Sequence, residues 1–223
     1  MNFWKAVFAI IRKDIRAELR TKDIFSSMFV FALLAVIVFN FSFELRVPEM
    51  KMVVPGIVWV AITFAGTLGL NRAFVIEQDK GSLAGLLLAP VDRAAIYFGK
   101  MLGNLAFILV VELILLPLVM IFFNLSLLTW QHLLVLFLGT FGFAAVGTVF
   151  SAIAVNTRAR EVMLPILLFP VLLPVLVAGV KLTGALLDGE PLSELLNWIQ
   201  LIVIYDLGFT IVAYLTFGFV VEE

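Results

Sequence analysis

Few residues of this sequence are of the kinds that carry out chemistry, and their spacing narrows the options further. There is no cysteine and one histidine, His132, so neither a thiolate metal site nor a disulfide framework can be built. Gly99-Lys100 is followed by Met101 and lacks the upstream glycine of a phosphate-cradling G-x-x-x-x-G-K-[ST] loop. No nucleophile, histidine and acid stand in a usable set, and the chain reads as non-catalytic, with no metal site. Glu112 is the outlier, placed inside "FILVVELILLPL". A charge at that depth costs about 2.5–3.5 kcal/mol on insertion scales, so such groups face protein or water. Two roles fit it: a carboxyl on a transport path or against a partner, and a carboxyl hydrogen-bonded between helices as a structural tie. His132 beside Trp130 has the pattern of an interfacial residue in an aromatic belt.

The elements that position these residues are set by a bilayer. Of the 223 residues 63% are hydrophobic and only 14% charged, against about a quarter charged in soluble domains; the mean hydropathy is +1.16. A formal net charge of −1 gives no pull towards nucleic acid. Six apolar runs, 24–43, 53–71, 101–123, 133–155, 162–180 and 199–221, are each about the 20 residues that cross a bilayer as a helix. They lack the alternation of barrel strands. The expected fold is therefore a single all-α integral membrane domain over 1–223 with six transmembrane helices.

Lysine and arginine orient it. With the N-terminus inside, the cytoplasmic segments hold Lys5, Arg12, Lys13, Arg16, Arg20 and Lys22, then Arg72, Lys80, Arg93 and Lys100, then Arg158 and Arg160. The outer loops hold only Arg46, Lys51 and Lys181. Both termini are then cytoplasmic, and no cleavable leader is visible. In the last span residues 191–206 can begin the helix, or lie along the outer interface with Trp198 as anchor while Asp206 caps a shorter span from Leu207; the break near Asp206 is preferred, because a cap hides that carboxylate better than mid-bilayer burial. Pro165, Pro170 and Pro174 imply a fixed bend in the fifth span. Gly139, Gly142 and Gly147 permit close helix approach, within one chain or across a dimer.

Ahead of the spans, residues 1–23 form an amphipathic helix. Trp4, Phe8, Ile11, Ile15 and Leu19 recur on one face and Lys5, Arg12, Lys13, Arg16 and Arg20 lie opposite. That pattern suits a helix in the membrane interface, apolar side towards lipid and cations towards phosphates. A soluble helix packed on a domain would look similar, but no soluble domain is present to receive it.

Between the second and third spans stands "EQDKGSLAGLLLAPVDRAAIYFGK", residues 77–100. Gly81 breaks from the preceding helix, Leu83, Leu86 and Leu87 can share one face of a short new one, and Pro90 ends it. Read by itself, the segment is either a helix that docks on another protein or a loop whose leucines rest on headgroups. Its pattern E-x-x-x-G-S-L-x-x-L-L-L-A-P-V-D-R-x-x-I-Y-x-G-K resembles the coupling segment of ABC-2-type exporter permeases. Together with "ELRTKDIFSSMFVF" at 18–31 and "FVVEE" at the end, the whole chain resembles the CcmB family, the membrane subunits of cytochrome c maturation haem exporters.

The resemblance implies a homodimeric permease in the bacterial inner membrane that couples ATP hydrolysis on a separate subunit to haem export or to release of a haem-loaded chaperone. It would work with a CcmA-like subunit that binds ATP, CcmC-like and CcmD-like membrane subunits that handle haem, and a periplasmic CcmE-like haem chaperone. Glu77, Asp79, Gly81, Leu83, Leu86, Leu87, Pro90 and Arg93 would then meet the ATPase. Haem is the implied cargo rather than a bound cofactor, since Trp4, Trp59, Trp130 and Trp198 are scattered and form no tryptophan-rich motif. Two alternatives remain: a non-transporting scaffold for haem-handling subunits, and an ABC-2 permease for lipid, polysaccharide or drug export.

Overall fold

Each apolar run closes its backbone hydrogen bonds within itself, as a bilayer requires. The computed structural model describes residues 2–43, 49–79, 85–86, 88–155, 157 and 159–222. Among these residues there are seven long α-helices and no strand: α1 Phe3–Thr21, α2 Asp23–Phe43, α3 Val54–Asp79, α4 Arg93–Phe123, α5 Trp130–Val155, α6 Arg160–Leu187 and α7 Leu196–Glu222. Short 3-10 turns at Met50–Met52 and Leu192–Leu195 precede α3 and α7. Helices α2 to α7 are long and apolar enough to cross a membrane.

The turn from α1 into α2 is built by two residues. Lys22 adopts the left-handed conformation (φ 56°) and its N–H donates to the Glu18 carbonyl (2.7 Å). The Glu18 carboxylate, 6% exposed, accepts the Phe25 N–H (2.8 Å). A side chain of α1 thus supplies the acceptor that the open N-terminus of α2 needs.

Helix α3 is the axis of the bundle. In its most apolar stretch 72% of residues are buried, against 22% for α7. Trp59 of α3 fixes the centre, lying against Gly139 of α5 and Gly179 of α6, where a Cβ would collide with its ring. Its indole N–H donates to Thr183 Oγ1 of α6 (3.0 Å). Gly147 of α5 likewise receives Leu70 of α3, and Gly142 receives Asp206 of α7. The glycines named from sequence therefore admit neighbours of the same chain, as small residues do in membrane bundles. Helix α6 runs continuously through Pro165, Pro170 and Pro174.

The expected break at Asp206 is absent: α7 is continuous from Leu196 to Glu222. The reason is Gly142, whose bare backbone leaves room for the carboxyl inside the bundle, so a helix end is not needed to hide it. The neighbouring Tyr205 hydroxyl donates to the Val171 carbonyl of α6 (3.1 Å) and holds this part of α7 in place.

Candidate functional site

Three helix segments meet where α3 ends and α4 begins, and their charged side chains form one closed network. Lys100, two turns into α4, is 2% exposed, with Nζ 2.6 Å from Glu77 Oε2 of α3 and 3.0 Å from Asp14 Oδ2 of α1. Lys13 of α1 reaches the other Glu77 oxygen and lies 3.2 Å from Asp14 Oδ1. Two cations and two carboxylates balance, the condition under which buried ions persist. Phe74 of α3 adds a ring 5.6 Å from Lys100 Nζ. Burial by itself would lower the Lys13 pKa, but the carboxylates of Asp14 and Glu77 outweigh it and raise it above its ordinary value. Beside the network a cavity of about 330 Å³ opens between α1, α2, α3 and α4, with Lys13, Glu18, Glu77, Lys100 and Asn104 on its walls.

Helix α1 is seated on α4 by an apolar stripe. Ala6 and Val7 are buried against Ala95, Phe98 and Leu102 of α4, and Ile10 is buried in the adjoining cluster that holds Ile96, Tyr97 and Met101. A Cβ on Gly99 would stand 2.8 Å from Ile10 Cβ, so glycine sets the approach of the two helices. The stripe that packs on protein is thus Ala6–Val7–Ile10–Asp14. Trp4, Phe8 and Leu19 are 58%, 66% and 70% exposed. Lys5, Arg12, Arg16 and Arg20 are exposed as well, and Lys13, its side chain 41% exposed, reaches from the surface into the ion network.

Of the segment between α3 and α4, Gly81, Leu83 and Leu87 lie outside the described residues. Asp79 is the last residue of α3. Leu86 is half-buried, packed with Val91 against Tyr97 and Phe217, while Leu88 is 86% exposed and Pro90 is exposed. The Asp92 carboxylate caps α4, accepting the Ala94 N–H (2.9 Å). Arg93 follows, its Cβ 3.9 Å from the site of a Gly218 Cβ on α7. Both roots of the segment are therefore fixed: Glu77 ties the α3 end to Lys13 of α1, and Lys100 ties the α4 start to Asp14 of α1 and to Glu77 itself.

Deeper in the bundle, Glu112 is 3% exposed and accepts the Thr140 hydroxyl of α5. It also lines a groove of about 390 Å³ between α4 and α5. His132 does not share the exposed position of Trp130. It is 3% exposed, with Nδ1 2.6 Å from Thr129 Oγ1, while Trp130 is 66% exposed. Among the described residues, no three His, Cys, Asp or Glu side chains come together in a group able to hold a metal ion.

Asp14 and Lys100 were not singled out from sequence as partners of Glu77. The available signal was their position, since Glu77 and Lys100 bracket one membrane edge with opposite charges. Which residue of α1 meets them is a tertiary fact.

Comparison with known proteins gives a consistent picture. The family model described as "CcmB protein" matches residues 5–222. The chain is 26% identical over 191 residues to Heme exporter protein B of Pseudomonas aeruginosa, covering 85% of this chain and 86% of the relative. It is 27% identical over 182 residues to Heme exporter protein B of Rhodobacter capsulatus (81% and 84%). To the protein of that name from Bradyrhizobium diazoefficiens it is 26% identical over 189 residues (84% and 85%).

Proposed function

This chain belongs to the CcmB family, and from that premise we propose that it is the multi-pass permease subunit of a haem-exporting ABC transporter. It takes no catalytic role itself. ATP is hydrolysed on a separate CcmA-like subunit, and two copies of this chain pair with two of those in the bacterial inner membrane. CcmC-like and CcmD-like subunits handle haem beside it, and a CcmE-like chaperone takes the haem on the periplasmic side. Both termini and the ion network then lie at the cytoplasmic end. Helix α1 rests in the interface with Trp4, Phe8 and Leu19 in lipid and Lys5, Arg12, Arg16 and Arg20 towards phosphates.

The observation that carries the mechanism is the shared anchoring of both roots of the 77–93 segment on α1. A push on that segment by the ATPase cannot move α3 without α4, or either of them without Lys13 and Asp14. Closure of the ATPase subunits is thereby passed to three helices as one body. Leu86 holds the segment to the bundle from inside, and Leu88 faces outwards to meet the ATPase. Leu88→Asp tests this. The side chain has almost no contact to lose within the subunit, so the variant assembles in the membrane but loses ATPase stimulation. Full stimulation in Leu88→Asp would remove Leu88 from the docking surface.

A further inference from the structure

Two carboxyl groups are buried in the spanning part of the bundle, and they differ in how they are satisfied. Glu112 has the Thr140 hydroxyl. Asp206 of α7 is 4% exposed, and neither Oδ1 nor Oδ2 has a hydrogen-bond partner. Oδ1 sits where any side chain at Gly142 of α5 would be. Both oxygens are sealed within this one subunit, so no neighbouring chain can supply the missing donor in this packing.

Among the described residues no cation supplies it either. From α5, residues 133–155 contain no titratable group, and His132 stands near the opposite edge, bonded to Thr129. From α4 the ionisable groups are Arg93, Tyr97, Lys100 and Glu112, and Arg93 lies beside Gly218, about three turns along α7 from Asp206. Lys100 is committed to Asp14 and Glu77. Glu112 meets Thr140, two residues from Gly142 and so on nearly the opposite side of α5. From α6 only Glu161 and Lys181, near the helix ends, carry charge among the described side chains, and Glu194 lies in the turn before α7. On α7 itself Tyr205 turns its hydroxyl to Val171. An ionised carboxylate sealed in this way, without donors, is strongly disfavoured. A bound proton removes that cost.

We propose that Asp206 is a proton-binding site. It holds a proton while α5 and α7 are packed as here, and releases it when the two helices part. Thr210 lies one turn along α7, near the Tyr97 hydroxyl, which donates to the Ala145 carbonyl (3.2 Å). These hydroxyls mark the way from Asp206 towards the Lys100 end of the bundle. Packing of α5 on α7 keeps the proton and their parting gives it up, so closure is favoured at low pH and weakened as pH rises. With one proton released, the open population grows about tenfold per pH unit over the range in which release occurs. Nothing in this site depends on what the transporter carries.

The test is isotope-edited infrared spectroscopy of the full chain in its native membrane assembly, with 13C-labelled aspartate. Asp206→Asn, isosteric with the neutral acid, provides the difference spectrum, and Asp206→Ser provides it if the amide does not assemble. The expected result is loss of one protonated-carboxyl band at pH 7. Loss of a carboxylate band instead would overturn the proposal. Hydrogen exchange in α7 tests release: the ratio of wild-type to Asp206→Asn rates rises about tenfold per pH unit in the alkaline range. A ratio independent of pH would overturn the release step.

Discussion

Lys100→Met removes the central cation of the ion network while keeping most of the side-chain volume. In the native protein Lys100 is 2% exposed and lies 2.6 Å from Glu77 and 3.0 Å from Asp14. At an effective dielectric near 20 each contact is worth about 6 kcal/mol of gross attraction, and the desolvation of the ions offsets most of it. What remains after Lys100→Met is two carboxylates sharing Lys13 alone, an uncompensated buried charge. The expected cost is about 3–5 kcal/mol, the usual penalty for breaking a buried ion network on one side. Glu77→Gln breaks it from the other side and is expected to cost a similar amount. The double variant leaves Lys13 beside Asp14, a neutral pair, so its cost falls below the sum of the singles by about 2–3 kcal/mol. Reversible unfolding in mixed micelles measures all four proteins. Additive costs, or a Lys100→Met cost under about 1 kcal/mol, would refute the view that the four residues act as one unit.

Three further outcomes are expected. Gly99→Val drives a side chain into Ile10 Cβ, which cannot swing aside, and costs about 1–3 kcal/mol; protease sensitivity of α1 in the intact protein reports its displacement. Glu112→Gln still accepts the Thr140 hydroxyl and stays within about 1 kcal/mol of wild type, whereas Thr140→Val strips the buried carboxyl of its donor and costs about 1–3 kcal/mol, both read from unfolding midpoints. The Lys13 pKa is raised in the folded protein, so its stabilising contribution is complete below its ordinary value of 10.5 and is lost as pH rises through the raised value. The stability difference between wild type and Lys13→Met is therefore flat to about pH 10 and shrinks above it, as thermal unfolding across pH 8–12 measures.

The elements were legible because a bilayer permits so few. Runs such as 101–123 announce a helix by length and composition alone, and α4 adds only the polar turns from Arg93 that the bilayer rule does not cover. A helix at α1 was readable from the period of Trp4, Phe8, Ile11, Ile15 and Leu19, of which Ile11 packs on the cluster with α4. That Ala6, Val7 and Ile10 form the face packed on protein was not, since they are apolar like their neighbours and the choice of face rests on Gly99 of α4, which admits Ile10. Asp206 misled for a related reason. From sequence alone a carboxylate in an apolar run is cheapest at a helix end, and only the three-dimensional pairing with Gly142 offers it a place inside. The network at Glu77 and Lys100 required knowing that α1 folds back over both, through contacts between residues 64 and 86 positions apart that no local pattern encodes.

Native mass spectrometry of the protein, gently extracted from its own membranes, tests the permease reading most directly. The expected particle holds two copies of this chain with two ATPase subunits, and Leu88→Asp sheds the ATPase while the pair of membrane subunits stays together. Recovery with haem-handling membrane subunits but never with an ATPase, under conditions that keep another ABC exporter whole, would contradict it and make this chain a scaffold.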